Sequence, residues 1–396
     1  MMKRQGILFR AGNVKQVSIF SVFCFLTIFR CILREKGAWL EYVIWGFSLL
    51  CFAFLLDRDY RLSQMEKKLA TGFGALCFVQ MIGVFVLGTG FALKNVIATF
   101  TISCLLISVS GSKCSINIYL FRLLYWTYII VLFAGFSKGK VLDNTFSGCL
   151  VFISLLYLTV ELNGFARRNK SKTIQAAVMG SASFLVTSYL IFHSAARTAL
   201  LCFGAAFGFF LVIHKMNLDT KRMNKLFYIA VIALILMVTL YINVQEMSWY
   251  QKVNGLSQTY FGKNIDSSRA AIWRSAFEEG SLLKLFLGNG TGTLPRLERY
   301  KNSSFHNTYI QLIAQNGLVG LSILLYIFRV LWKQLSRFSR DIVIQFVLSC
   351  FLGILLYNCF ETTLLQNKTF LGVLQWLLIG FGIIRTYSLE RAQLRR

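Results

Sequence analysis

The residues best suited to chemistry lie in the second half of the chain, around a histidine at the start of an apolar run. His306 and Asn307 are followed, after nine residues, by GLVG at 317–320. An imidazole titrates near neutral pH and can accept a proton from a hydroxyl. Two arginines, Arg197 and Arg269, fall on the same side of the membrane as His306 by the distribution of charge. A base and two permanent cations at a membrane surface predict chemistry on an anionic, lipid-linked substrate.

Each of these residues also has an ordinary interpretation. A histidine at a helix start is a common polar residue, and Arg197, in HSAARTALL, could extend its side chain to the membrane surface. Arg269 could lie on an exposed helix face, as could Arg274, Arg296 and Arg299. Short segments on this side of the membrane carry few cations, so the confined charge of Arg197 favours a phosphate partner.

Other chemistries lack a supporting motif. The chain has no GxxxxGK[ST] loop for ATP and no CxxC pair among its 10 cysteines. Asp57 and Asp59 have a spacing found in metal-dependent enzymes, but a solvated turn explains them in a short charged segment. The sequence therefore predicts no metal and no cofactor.

The elements that must position these residues are membrane helices. The chain is 56% hydrophobic with a mean hydropathy of +0.61, more apolar surface than a soluble protein of 396 residues can hide. Repeated apolar runs of about 20 residues are typical of transmembrane helices. The predicted spans are 16–33, 38–56, 69–92, 95–111, 118–136, 146–163, 173–192, 198–214, 226–244, 308–331, 342–360 and 369–385. The predicted fold is a single all-α polytopic membrane domain, 1–396, with about twelve spans.

The charges predict the topology. The formal net charge is +26, and 25 of the 42 Lys and Arg fall in alternate segments that would all lie on one side. By the positive-inside rule this side is the cytosol, which places both termini there and residues 245–307 outside. The basic clusters then meet anionic membrane lipids, and no nucleic acid is needed to explain them.

The long outer segment contains a helix signal of its own. Asp266, Ser267 or Ser268 can cap a helix that starts at Arg269 and ends before Gly280. A glycine-rich turn, LFLGNGTGTLP, follows it. Loops of this length in compact proteins are usually functional.

These motifs resemble those of a known family. The His306-Asn307 element with its GxxG is similar to the signature of the O-antigen ligase and polysaccharide polymerase superfamily. The spacing from Arg269 to Trp273 before the glycine-rich turn resembles the outer loop of that family. Arg197 resembles its first essential arginine, and Glu361 fits an acidic position in its next outer loop.

The resemblance implies a twelve-helix, GT-C-like membrane glycosyltransferase in the bacterial plasma membrane. Its donor and acceptor would be polyprenyl-diphosphate-linked oligosaccharides, and its reaction would need no metal. Arg197 and Arg269 would bind the diphosphate, and His306 would deprotonate the acceptor hydroxyl. The residues expected to bind substrate around them are Asn307, Arg274, Arg296, Arg299 and Glu361.

Three functions remain open at this point. The favoured one is a polymerase that joins lipid-linked repeat units for an O-antigen, a capsule or another surface polysaccharide, with a chain-length regulator and a flippase as candidate protein partners. A ligase would instead transfer the finished glycan to a different acceptor. A transporter of lipid-linked oligosaccharide would also need outer cations, but more often carries its charges at the membrane midplane.

Overall fold

The apolar runs fold as helices. The computed structural model describes residues 19–57, 62–87, 90–111, 118–136, 144–165, 170–194, 196–262, 264–266, 268–277, 281–295, 297 and 304–395. All regular secondary structure in these residues is helical, and they contain no strand. The all-α class is therefore confirmed.

Within the described ranges a long helix occupies each of the twelve predicted spans, and three shorter helices follow the ninth. The α-helices are α1 (Ile19–Leu33), α2 (Trp39–Asp57), α3 (Gln64–Leu87), α4 (Gly90–Gly111), α5 (Ile118–Phe136), α6 (Asn144–Phe165), α7 (Lys170–His193), α8 (Arg197–Met216), α9 (Thr220–Ile242), α10 (Tyr250–Phe261), α11 (Arg269–Arg274), α12 (Leu282–Leu287), α13 (Thr308–Ser336), α14 (Ile342–Tyr357) and α15 (Thr369–Gln393). The predicted boundaries differ from these by a few residues.

Length and composition make this a multi-pass membrane protein. Nine of the described helices are long and apolar enough to cross a bilayer, and the apolar parts of α2 and α14 are somewhat shorter. The number of helices that span the bilayer, predicted as twelve, and the side on which each terminus lies stay predictions.

The helices differ in how much of their surface other helices cover. Helix α15 lies at the centre, against α1, α4, α6, α13 and α14, and 94% of its membrane-length window is buried. Helix α9 lies at the edge, with 6% of its window buried and Ile229, Ile232 and Leu236 exposed. A strongly apolar helix with an open face is expected in lipid, where its side chains need no protein cover.

Two ion pairs stabilise charges inside the bundle. Arg30 on α1 contacts Glu41 on α2 at 2.9 Å, and Arg122 on α5 contacts Glu161 on α6 at 2.6 Å. Burying an unpaired charge away from water costs free energy, and each ion pair offsets part of that cost for its two side chains. The sequence alone did not predict these pairs.

The segment after α9 differs from its prediction in detail. The predicted helix begins at Arg269 as expected but ends at Arg274, and α10 and α12 were not predicted. Ser268 precedes α11 in a left-handed conformation (φ 63°) without a side-chain capping bond, and Ser267 lies outside the described residues.

A kink in α13 holds the glycine-rich turn in place. Gly317 has φ 65° and ψ −170° inside the helix, so the carbonyls of Ala314 and Gln315 can accept bonds from elsewhere. The backbone N–H groups of Asn289 and Gly290 donate to them, at 2.8 Å and 3.0 Å. The first glycine of GxxG thus lets the end of α12 and the following turn join α13.

Candidate active site at one end of the helix bundle

Three of the predicted site residues meet at one end of the bundle, with Arg197 nearby. Arg269 begins α11, His306 directly precedes the Asn307 cap of α13, and Glu361 follows α14. Arg197, at the start of α8, contacts the residues around α10. We call this end of the molecule the loop end, because it carries the long segment between α9 and α13.

Trp273 fixes the short helix that carries Arg269. Its indole is fully buried, and Nε1 donates a hydrogen bond to the carbonyl of Phe305 at 2.8 Å. Its ring lies 4.8 Å from that of Tyr241 and 6.0 Å from that of Phe360, measured between centroids. The Arg-x3-Trp spacing therefore places the arginine at the start of a short helix, and the buried tryptophan four residues later holds that helix in place.

Asn307 caps α13. Its Oδ1 accepts hydrogen bonds from the backbone N–H groups of Tyr309 and Ile310, at 2.9 Å and 3.0 Å. The residue is 0% exposed, so in this state it lies beneath the site with no surface for a substrate. His306 next to it adopts φ 50°, and its side chain is 42% exposed. The cap thus fixes the backbone at Asn307, directly after the residue that carries the imidazole.

The next residue ties α13 to the connection between α14 and α15. The Thr308 hydroxyl lies 2.9 Å from both Asn358 Oδ1 and the Glu361 carbonyl, and the Thr308 N–H donates to the Asn358 carbonyl at 2.9 Å. These contacts hold the backbone of Glu361 beside the start of α13.

The Glu361 carboxylate lies between the arginine and the histidine. Its Oε1 accepts a hydrogen bond from Arg269 Nη2 at 3.1 Å, and its Oε2 is 3.9 Å from His306 Nδ1. The second distance exceeds a hydrogen bond, and catalytic contacts often tighten only when substrate binds. The side chains of Arg269 and Glu361 are largely buried, which strengthens their interaction. A carboxylate on the Nδ1 side leaves Nε2 of the imidazole available for a substrate.

Arg197 reaches the same region from α8. Its Nη1 donates to the Ser257 hydroxyl at 2.9 Å and its Nη2 to the Asn264 carbonyl at 3.0 Å. The charges of Arg269 and Asp266 lie within electrostatic range of its guanidinium. The structure thus brings the two arginines into one electrostatic environment, although 72 residues separate them in the sequence.

Asp266 is a structural carboxylate that the sequence suggested only as a helix cap. It is almost fully buried, and it accepts hydrogen bonds from the Tyr250 hydroxyl at 3.0 Å and from Gln245 Nε2 at 2.8 Å. Its backbone carbonyl accepts from the N–H of Arg269. Burial, with the hydrogen bond to Asp266, raises the pKa of Tyr250, so this phenol stays protonated and donates. Asp266 therefore helps to orient the start of α11.

Arg274, a further predicted arginine, does not join this group. Arg274 pairs with Glu246 at 3.0 Å and donates to the carbonyl of Ile242 at 3.2 Å. Arg296 and Arg299 lie outside the described residues. The described residues hold no cluster of three or more His, Cys, Asp or Glu that could bind a metal ion.

A cavity of about 190 Å³ adjoins the site between the residues that follow α11, α12 and the start of α13. Phe305, the neighbour of His306, forms part of its wall, together with Ser275, Lys284, Asn289 and Thr293. Its mixture of apolar, hydroxyl and amide groups suits a sugar, because a sugar ring has apolar C–H faces as well as hydroxyl groups.

The comparison with known families agrees with this arrangement. Residues 182–325, which are 144 of the 396 residues, match the model of a family described as O-antigen ligase. The matched region contains Arg197, Arg269 and His306 and ends before Glu361. It confirms the resemblance to the O-antigen ligase and polysaccharide polymerase superfamily and indicates glycosyl transfer of that type. No curated protein matches the chain.

Proposed function

Because the O-antigen ligase signature covers Arg197, Arg269 and His306, we propose that the protein is a membrane glycosyltransferase that polymerises polyprenyl-diphosphate-linked oligosaccharide repeat units. The observation that carries the proposal is the Glu361 carboxylate between Arg269 and His306. It joins a diphosphate-binding cation and a candidate base in one arrangement. The reaction takes place on the outer face of a bacterial plasma membrane, where residues 245–307 lie.

The two arginines bind the donor diphosphate. When the anomeric carbon–oxygen bond breaks, the electron pair stays on the diphosphate oxygen, so negative charge increases there in the transition state. Guanidinium groups in a partly buried site stabilise that charge strongly. Arg269 exchanges part of its contact with Glu361 for a phosphate oxygen. The two cations thus supply the charge neutralisation that a divalent metal provides in many other diphosphate-cleaving enzymes.

His306 activates the acceptor. Its Nε2 removes the proton of the acceptor hydroxyl while the hydroxyl oxygen bonds to the anomeric carbon of the donor. The bond from this carbon to the diphosphate breaks, and polyprenyl diphosphate leaves. Glu361, on the Nδ1 side, stabilises the imidazolium that forms and remains ionised. Glu361 is then an orienting residue, rather than the substrate-binding residue that the sequence suggested.

The acceptor distinguishes the three candidate functions. A polymerase uses a second lipid-linked repeat unit, and a ligase uses a different acceptor such as a lipid or a protein. A transporter moves the lipid-linked glycan and makes no glycosidic bond. The described site charges lie at the loop end of the bundle, which favours a transferase over a transporter.

The direct test is an assay of the purified protein with defined lipid-linked repeat units. Polymerisation predicts a ladder of lipid-linked products that grows by whole repeat units without ATP or an ion gradient. Transfer only to an added core lipid or protein acceptor would identify a ligase. Unchanged repeat units, in protein that remains folded, would contradict glycosyl transfer.

A further inference from the structure

A second polar cavity opens at the loop end, and the residues that line it lie outside the region that the family model matches. Its volume is about 400 Å³, and it lies between the α1–α2 turn, α4, α6 and the start of α15. Cationic and amide side chains dominate its wall. Those that matter here are Arg30, Arg34, Lys94, Asn95 and Lys368.

The cavity has an excess of positive charge. Four cations and the two carboxylates of Glu35 and Glu41 line it, which gives a formal charge of +2. Glu41 is already engaged, with Arg30 at 2.9 Å and with the Thr369 hydroxyl at 2.9 Å. Arg34, Lys94 and Lys368 therefore carry the excess positive charge, against the one remaining carboxylate, that of Glu35.

Neighbouring groups hold two of these cations in position. The guanidinium carbon of Arg34 lies 4.6 Å from the centre of the Phe146 ring. The ammonium of Lys368 donates to the Thr145 hydroxyl. Both supporting residues belong to the start of α6 and also line the cavity. The cations are thus positioned on one wall.

Asn95 supplies a donor that has no partner among the residues that the structure describes. The residue is 3% exposed, and among the described residues its amide nitrogen meets no hydrogen-bond acceptor. A buried donor without an acceptor costs free energy, and such groups need a structural or functional reason. An anion in the cavity would provide the acceptor oxygen that this amide lacks.

The cavity and the candidate active site share one connecting segment. The connection between α14 and α15 carries Glu361 in the active site and, seven residues later, Lys368 in the cavity. Seven residues span at most roughly 25 Å even when extended. Between them Gln366 bonds to Gln311 and Gln315 of α13, which fixes the segment. The two cationic sites therefore lie close together at one membrane surface.

We propose that this cavity holds the diphosphate of the second lipid-linked substrate molecule, the acceptor, while Arg197 and Arg269 hold that of the donor. The inference rests on the proposed polymerase function, because only a polymerase uses two such lipids. The acceptor reacts at the sugar farthest from its diphosphate. Its diphosphate must therefore lie some distance from His306, as the cavity does, and must be held at the same surface.

The test counts bound ligands by native mass spectrometry, with geranylgeranyl diphosphate as the probe. The wild-type protein should bind two molecules. The variant with Arg34→Gln, Lys94→Gln and Lys368→Gln should lose one of them or bind it at least about tenfold more weakly. The variant with Arg197→Gln and Arg269→Gln should lose the other. Lys36→Gln is the matched control, since Lys36 belongs to the same α1–α2 turn but does not line the cavity, and it should keep both.

Further ligands test whether the cavity recognises the diphosphate itself, rather than the lipid chain or the phosphate of a membrane phospholipid. Geranylgeraniol, which lacks phosphate, should not bind, and an excess of phosphatidylglycerol should not displace the probe. A single bound molecule in the wild type, two in the triple variant, or displacement by phosphatidylglycerol would each overturn the proposal. If the triple variant does not fold, Lys368→Gln alone serves, because this residue is exposed.

Kinetics distinguish this inference from the proposed function. In the polymerisation assay, the cavity variants should raise the KM for the lipid-linked acceptor about tenfold or more and leave the donor KM unchanged. An equal effect on both substrates would contradict the acceptor role. If the protein binds two probes with this mutational pattern but makes no polymer, the polymerase function fails while the second diphosphate site remains.

Discussion

At the scale of single residues, Glu361 connects the two halves of the proposed chemistry. Its carboxylate is shared between Arg269, which faces a phosphate in the proposal, and His306, which faces a hydroxyl. The same carboxylate competes with phosphate for the arginine and stabilises the charged imidazole. Replacing it should therefore affect binding and catalysis in opposite directions.

Glu361→Gln keeps the shape of the side chain and removes its charge. We expect geranylgeranyl diphosphate to bind more tightly, because Arg269 loses a competing anion, and the rate of transfer to fall by about tenfold to a hundredfold. Affinity and single-turnover rate are measured separately. Glu246→Gln, which alters the separate ion pair with Arg274, is the control. Weaker diphosphate binding in Glu361→Gln would contradict the proposed role.

His306→Asn tests the base. Asparagine tolerates the left-handed backbone at this position but cannot accept the proton, so we expect transfer to fall by about 10² to 10⁴ with donor affinity little changed. The assay uses defined lipid-linked repeat units with and without a chelator, and the chelator should not inhibit the wild type. His193→Asn, at the end of α7, is the control. A near-normal rate for His306→Asn would remove His306 from the mechanism.

Arg197→Lys and Arg269→Lys test the arginines. Lysine keeps the charge but loses the planar pair of donors, so each variant should lose about tenfold or more in kcat/KM. Arg274→Lys is the matched control, because the structure pairs that arginine with Glu246. Wild-type rates for both variants would reassign these arginines to contact with membrane lipid.

At the scale of elements, the kink in α13 connects the glycine-rich turn to the helix that follows His306. A Cβ on Gly317 would lie 2.0 Å from the carbonyl oxygen of Phe286, and φ there is 65°. The two features together explain why this position needs glycine, since it must combine a left-handed backbone with a close backbone approach.

Gly317→Ala should therefore displace α12 and lower stability by about 1–3 kcal/mol. Thermal unfolding in detergent measures the effect as a lower Tm. Gly208→Ala in α8 is the control, because among the described residues no other part of the protein lies within 4 Å of its added Cβ, and its Tm should stay the same or rise. Equal Tm values for Gly317→Ala and wild type would show that the kink does not hold the turn.

At the scale of the whole molecule, the arrangement depends on which side of the membrane the loop end faces. The charge distribution predicts that residues 245–307 are outside and both termini inside. The described cysteines are buried or half-buried, and 245–307 contains none, so an introduced thiol can report its own location.

Lys284→Cys places a thiol on the exposed surface of α12. A maleimide that cannot cross membranes should label it in intact cells, and a cysteine added after Arg396 should react only after the cells are opened. The protein without introduced cysteines gives the background. The reverse pattern of labelling would reject the predicted topology.

The sequence by itself determined the helices and the family resemblance. In a bilayer each backbone polar group must be bonded within its own segment, so apolar runs of sufficient length become helices whatever surrounds them. This local rule placed a helix in every predicted span. The spacing of His306 with GxxG, and of Arg269 with Trp273, is also local, and it was enough to reveal the resemblance to the superfamily that the family match supports.

Only the tertiary structure decided which of these residues act together. Arg269 and Glu361 are 92 residues apart, and the second cavity combines side chains from α1, α4, α6 and α15. Tertiary packing likewise assigned Asn307 to a helix cap and Arg274 to a separate ion pair. Such contacts depend on how helices that are far apart in the sequence pack together, and a local pattern of residues does not predict this packing. The sequence therefore identified the chemical groups, and the packing of the helices determined their partners.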